Sequence, residues 1–272
     1  MRLQGKVVVV TGSTRGIGRA IAEACAREGA KVVISSRRQS AVEEVCRVLG
    51  ERGYAVTGLV ADVSIPSDLE QLLRHAVETW GMVDVWVNNA GLSAGLRPLG
   101  ELSAEELKCI VDVNLTGTLQ ACRIVIPHLI QQGGGIVVNM SGKGGRGEAS
   151  PFMTAYAATK AAVTNLTKCL AQEYKDHPIS IHSLIPGMVA TDFYEDLQVS
   201  PGLEAMAHNT PFALKAFGAS LEEVGRAFVE IAAQEPGRVT GKTYSLIGGW
   251  RLVRGILLMT WYRMTGRLQA AG

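Results

Sequence analysis

The chain has 272 residues, 47% of them hydrophobic and 19% charged, and its 27 basic and 25 acidic side chains leave a net charge of +2. A chain of this length hides roughly 73% of its unfolded surface on folding, enough for a large core without disulfide or metal staples. The balance excludes a disordered chain and carries no basic excess for nucleic acid, and the 31 glycines follow no three-residue period, which excludes collagen.

In chain order, short apolar runs alternate with longer segments of helical period. Strands are expected at residues 6–10, 31–35, 56–61, 83–88, 135–140, 180–185 and 241–246, and helices at 16–27, 41–52, 67–80, 155–176 and 220–233. Several strands are apolar on consecutive residues, as in Val7-Val8-Val9-Val10, rather than alternating. Such strands are covered on both faces, so the pattern predicts a doubly wound α/β fold: three layers around a seven-stranded parallel sheet, the Rossmann arrangement, in one domain. Two regions break the rhythm. Residues 187–219 contain Pro201-Gly202 and Pro211 and no clear strand, and are expected to form a lid over the substrate. Residues 248–272 form a C-terminal extension.

The first strand runs directly into Gly12-Ser13-Thr14-Arg15-Gly16-Ile17-Gly18, and a helical pattern starts there. Glycines remove the Cβ atoms that would keep a pyrophosphate from backbone N–H groups, and a helix N-terminus adds free donors and partial positive charge. In this context, after a buried-type strand and before a helix, the loop predicts dinucleotide binding.

Tyr156 and Lys160 lie four apart and share one helix face. A tyrosine with its reference pKa of about 10 is a poor acid or base at neutral pH. An ammonium about 4 Å away, at an effective dielectric of about 20, favours the phenolate by roughly 4 kcal/mol, with desolvation working against it. The expectation is a phenol lowered towards the range of a general acid/base.

The glycine spacing, Gly-x-x-x-Gly-x-Gly after Thr11, is similar to the TGxxxGxG fingerprint of the short-chain dehydrogenase/reductase family. Further motifs carry the resemblance over about residues 5–248: Asn88-Asn89-Ala90-Gly91 resembles NNAG, Tyr156-Ala157-Ala158-Thr159-Lys160 resembles YxxxK, and Pro186-Gly187 with Thr191 resembles PG…T. The resemblance implies an oxidoreductase that moves a hydride between a nicotinamide coenzyme and a carbonyl or alcohol. It implies Tyr156 as proton donor, Lys160 as its partner and as holder of the nicotinamide ribose, and Asn114 as the residue positioning a water for proton exchange. Asp62 and Val63 would contact adenine, Asn89, Ala90 and Gly91 would surround the ribose, and Pro186, Gly187, Val189 and Thr191 would secure the carboxamide.

Ser36 stands where NAD-using members carry an acid, and Arg37 and Arg38 follow it. With Arg15 in the glycine loop, these groups suit a 2′-phosphate, and the expected coenzyme is NADP(H). The family serine is displaced. Its position 13 before the tyrosine is Lys143, and its position three after Asn139 is Gly142. Ser141 is the nearest hydroxyl and is the expected catalytic serine, with Lys143, Ser150 or Thr154 as substitutes for it.

The lid carries Phe193, Tyr194, Leu197, Met206, Phe212 and Phe217, which suits a bulky apolar substrate. In the extension, Arg251, Arg254, Arg263 and Arg267 bracket an apolar stretch. It is expected to lie on a membrane surface as a basic amphipathic helix, to pack over the cleft or against another subunit, or to be unstructured. The Pro186–Asp192 run, the serine loop and this extension also resemble the chlorophyll b reductase branch. A catalytically silent NADP(H)-binding sensor or scaffold is the other alternative.

The five cysteines form no CxxC pair and read as reduced packing residues, His177 and His182 do not make a metal motif, and no metal is expected. The first residues lack the apolar region of a signal peptide, and no unbroken run approaches the roughly 18 apolar residues of a membrane span. A cytoplasmic protein is expected, and the resemblance adds a homo-tetramer or homo-dimer.

Overall fold

The computed structural model describes residues 1–195 and 197–269; Asp196 in the predicted lid and residues 270–272 of the extension lie outside the described residues. Seven strands, β1 (Val7–Thr11), β2 (Lys31–Ser36), β3 (Val56–Val60), β4 (Val85–Asn88), β5 (Gly135–Met140), β6 (Ile179–Ile185) and β7 (Thr243–Ser245), form one sheet in the order β3-β2-β1-β4-β5-β6-β7. Every pairing is parallel.

Consecutive valines explain the layers. Side chains alternate across a strand, so Val8 and Val10 join one core with Val32, Ile34, Ile21 and Phe228. Val9 and Val33 join the other, with Trp86, Leu69, Val125 and Leu129. The first core lies under α1 (Gly16–Arg27), α2 (Gln39–Glu51) and α9 (Leu221–Ala232), and the second under α3 (Pro66–Trp80) and α5 (Gly117–Gln131). Strand order reverses between β3-β2-β1 and β4 onward, which opens a crevice at the carboxyl ends of β1 and β4.

Before α5 lies α4 (Ala104–Val111), started by a capping box in which Ser103 and Glu106 exchange hydrogen bonds, and a π-helical turn, Asp112–Thr116, joins the two. The combined run Ala104–Gln131 is 28 residues long and apolar enough, by length and composition alone, to cross a bilayer. The sequence reading looked for unbroken apolar runs and passed over it. Half of its most apolar window is buried, and the run packs against α3, β5 and α6 (Thr154–Glu173) as a core helix.

The predicted lid is more regular than its prolines suggest. It contains α7 (Asp192–Glu195) and α8 (Glu204–Phe217), the latter with Pro211 inside it. A bridge from Val189 to Ala219 joins its two ends, and one from Leu96 to Val199 holds its middle. The extension forms α10 (Gly249–Met264), so the reading of an unstructured end is not what the structure shows. Gly255 is buried because a Cβ there would run into the Phe217 ring of α8. Tyr262 meets Phe212 edge-on, with ring centroids 5.0 Å apart, and Arg251 pairs with Glu223 of α9.

A chain of buried polar contacts ties the layers. Trp86 Nε1 donates to Asn88 Oδ1 (2.8 Å), Asn88 Nδ2 to Asn139 Oδ1 (2.8 Å), and Asn139 Nδ2 to Thr167 Oγ1 of α6 (3.0 Å). Truncating a fully buried member leaves its partners unsatisfied. Asn139→Ala is expected to destabilise the protein by about 2–3 kcal/mol, read as a lower urea midpoint at an unchanged slope; an unchanged midpoint would contradict the account of this chain.

Candidate active site

The strand ends open on a cavity of about 1000 Å³. At one end β1 passes into the glycine loop. Gly12 has φ +61°, and a Cβ on it would lie 2.9 Å from Ala90 Cα. A Cβ on Gly18 would meet Asn89 Nδ2 and Gly12 O. Asn89 Nδ2 donates to Thr11 O (2.8 Å) and Gly12 O (3.0 Å), and Thr11 Oγ1 accepts from the N–H groups of Asn89 and Ala90. The loop is therefore clamped against the end of β4 with bare backbone towards the cavity, a cradle that fits a pyrophosphate.

All the residues expected to bind coenzyme line the cavity except Ser13. Ser13 is a correction. It is fully buried, its N–H donates to Ser35 O, and its hydroxyl donates to Val10 O and accepts from Ser35 N, so both its polar groups stitch β1 to β2. At the end of β2, Ser36, Arg37 and Arg38 border the cavity, with Arg37 Nη1 3.8 Å from Asp62 Oδ2. Arg15 pairs with Asp192 of α7 at 3.1 Å, which ties the glycine loop to the lid.

Tyr156 and Lys160 emerge from the first turns of α6 into the middle of the cavity. Lys160 is buried, its Nζ donates to Met140 O (2.9 Å), and it sits 5.6 Å from the Tyr156 ring centroid. Burial penalises the charged form of each group. It pushes the Tyr156 phenol above its ordinary value, with neighbouring Tyr194 adding to the rise, and lowers the Lys160 ammonium to about 8. Burial thus opposes the lowering expected from the lysine, whose ammonium is turned to the Met140 carbonyl.

Asn114 does not reach the cavity. It is fully buried in the π-helical turn, where Oδ1 accepts from Leu92 N (2.7 Å) and Nδ2 donates to Leu92 O (2.9 Å) and Thr159 Oγ1 (3.1 Å). Its amide fastens the loop after β4 to α6. The expected water-positioning side chain is a positioning residue, and only the π turn, which has no sequence signal, aims it there.

Ser141 is the other correction. Ser141 lines the cavity, but its hydroxyl donates to Lys160 O (3.0 Å) and shares a 2.7 Å contact with Thr164 Oγ1, so it is turned to the body of α6. Position 142 faces the phenol: a Cβ on Gly142 would fall 2.5 Å from Tyr156 Oη. Of the two places that the resemblance gives to the catalytic serine, 142 carries no side chain and 143 carries a lysine. Of the substitutes, Ser150 is buried away from the cavity, Thr154 borders a separate small pocket, and Lys143 lines the cavity. Sequence reasoning also missed the placement of Phe193 and Tyr194. Phe193 packs on Tyr156 with centroids 5.5 Å apart, and Tyr194 packs on Phe193 at 5.2 Å. Among the described residues no group of three His, Cys, Asp or Glu side chains is placed to hold a metal ion.

Comparisons with known proteins identify the family. The family model described as short chain dehydrogenase matches residues 6–200. The chain belongs to the short-chain dehydrogenase/reductase family. It is 35% identical over 257 residues to 3beta-hydroxysteroid dehydrogenase 1 of Eggerthella lenta, covering 93% of this chain and 96% of that protein. It is 36% identical over 205 residues to a probable chlorophyll(ide) b reductase of Oryza sativa subsp. japonica, covering 68% of this chain but 40% of that protein. Among solved structures, the 3-ketoacyl-(acyl-carrier-protein) reductase from Brucella melitensis, complexed with NADH, superposes with a TM-score of 0.80 at 28% identity, covering 91% of this chain and 98% of that one. A nicotinamide coenzyme is thus the family's, and the clamped glycine cradle fits it.

If Ser141 is structural, Ser141→Ala leaves kcat within about threefold and lowers stability by about 1–2 kcal/mol, the loss of a buried hydroxyl. A fall in kcat of about 10²–10³, the usual consequence of losing an oxyanion-type donor, would return it to the reaction.

Proposed function

We propose that this family member is an NADP(H)-dependent oxidoreductase that interconverts a carbonyl and an alcohol on a bulky apolar substrate. The observation that carries the reading is the joining of two ends in one cavity. One end has Ser36, Arg37 and Arg38 beside the glycine cradle, and the other has Tyr156 and Lys160 facing a wall of Leu197, Met206, Phe217, Leu252 and Met259. Bound nicotinamide supplies or takes the hydride. Tyr156 exchanges the proton on the substrate oxygen, and Lys160, turned from Met140 O to the ribose hydroxyls, fixes the coenzyme beside it. Pro186, Gly187, Val189 and Thr191 border the place of the carboxamide. The Phe193 and Tyr194 rings shield the phenol from water. A homo-dimer or homo-tetramer belongs to the same reading on family resemblance alone, a cytoplasmic location on the sequence expectation alone, and the partial match to the rice reductase keeps a large amphiphilic carbonyl among the substrates to screen.

The coenzyme preference follows from charge. The Arg15 and Arg37 ion pairs are exposed and are worth less than about 1 kcal/mol each, so a doubly charged 2′-phosphate draws either guanidinium from its carboxylate. NADPH is expected to show a KM at least about tenfold below that of NADH, the worth of one charge-assisted contact, and Ser36→Asp to reverse the order. A wild-type preference for NADH refutes the assignment.

Lys160 gives the pH dependence. Burial places its folded-state value at about 8, below the usual lysine range. The ammonium is therefore present below about pH 8 and is lost as pH rises through it. If it holds the coenzyme, NADPH binding weakens above that point, approaching about tenfold per pH unit. Lys160→Met binds less tightly and with a flat profile, and Tyr156→Phe retains coenzyme binding while losing turnover. A wild-type profile unchanged between neutral and alkaline pH rules out this role.

A further inference from the structure

Helix α10 has two working sides. Its inner side, with Gly255, Tyr262 and Arg251, packs on α8 and α9, while Leu252 and Met259 line the cavity. Its outer side is apolar and open: Trp250 is 74% exposed, Ile256 53%, Leu257 62% and Met264 75%, with Val253 and Trp261 between them. At about 100° per residue these side chains fall on one arc. Arg254 and Arg263 are nine apart, so they lie about 180° from each other, on the two margins of that arc. Arg267 follows at the carboxyl end, its guanidinium 4.5 Å over the Trp261 ring. From Gly248 onward the sequence has no Asp or Glu.

We propose that this face docks on an anionic lipid bilayer, the helix lying in the plane of the membrane surface beside the mouth of the cavity. A helix of 16 residues rises about 24 Å, less than the roughly 30 Å of a hydrocarbon core, so it does not span. Apolar side chains in the middle of an arc, arginines at both edges and indole rings among them match the depth profile of an interface, where aliphatic groups enter the acyl boundary and guanidinium groups stay at the headgroups. A second copy of the chain fits the face less well. A twofold contact sets the same patch against itself, and this helix would then oppose arginine to arginine with no carboxylate of its own to intervene. The docking does not depend on the oxidoreductase reading. Together with it, the docking sets the apolar half of the cavity next to the lipid phase, where an apolar substrate partitions.

The test is co-sedimentation of the full chain with phosphatidylcholine vesicles, with and without phosphatidylserine, alongside Leu257→Glu and the double variant Arg254→Gln/Arg263→Gln. The wild type is expected to pellet with phosphatidylserine vesicles, with its tryptophan emission shifted to the blue. The arginine variant should lose about thirtyfold in partitioning, at roughly fivefold per basic residue, and Leu257→Glu should remain in the supernatant while binding NADPH as the wild type does. Wild-type protein that stays soluble with phosphatidylserine vesicles overturns the proposal, as does binding equal to that of wild type in both variants. Should wild type ignore the vesicles and Leu257→Glu break an oligomer seen by sedimentation velocity, the face belongs to a second copy.

Discussion

Three successive residues at the end of β5 are each gripped by α6. Asn139 Nδ2 reaches Thr167, the Met140 carbonyl takes the Lys160 ammonium, and the Ser141 hydroxyl reaches Thr164 and the Lys160 carbonyl. Lys160, Thr164 and Thr167 recur at the i, i+4, i+7 spacing of one helix face. The strand rises in step with that face, so a slide of α6 along β5 would break all three contacts in an interior where unpaired polar groups are costly. The position of Tyr156 relative to the strand ends is a consequence. So is the fit of Gly142 against its hydroxyl, since any side chain there would have to displace the phenol.

The same grip places a cation in a site without a carboxylate partner among the described residues. Among the polar contacts of Lys160, Met140 O is a dipole and not a charge, and burial therefore lowers the ammonium while raising the nearby phenol. Both shifts disfavour charge; a ligand that presents hydroxyls to Nζ favours the ammonium, and an ammonium turned towards the phenol favours the phenolate. The centre of the cleft thus disfavours charge on either group, whereas Arg15 and Arg37 hold carboxylate partners in exposed pairs that are cheap to exchange.

The layer order was legible because the hydrophobic code of a doubly covered strand is redundant: Val7 to Val10 fill both cores whichever residue begins the strand. Helices α1, α3 and α9 announced themselves by period, whereas α8 was hidden by Pro211, which an isolated pattern reads as a break and which the structure accommodates inside the helix. The coenzyme cradle was legible because glycine has a local cause. The serine was not. Residues 141 and 142 are neighbours on a backbone whose side chains alternate in direction, so counting along the chain finds the place but not the face. Ser13 shows the same limit, its hydroxyl being claimed by β2, which is distant in sequence. Asn114 depended on a π turn, and a single extra residue in a helical repeat leaves no trace in composition.

On the proposed reading, and with no hydroxyl at position 142, the Tyr156 phenol carries the hydrogen bond to the substrate oxygen, and the strength of that bond depends on how well water is kept out. The groups that exclude water are those least like a bare catalytic core: the Phe193 and Tyr194 rings at the head of the lid, α8, and α10 lying across it. Arg15 and Asp192 couple the coenzyme loop to the same lid. The cavity wall therefore includes a helix, α10, whose opposite side is apolar and outward-facing. On the docking proposed above, the same sixteen residues that meet the lipid also wall the apolar half of the cavity, through Leu252 and Met259.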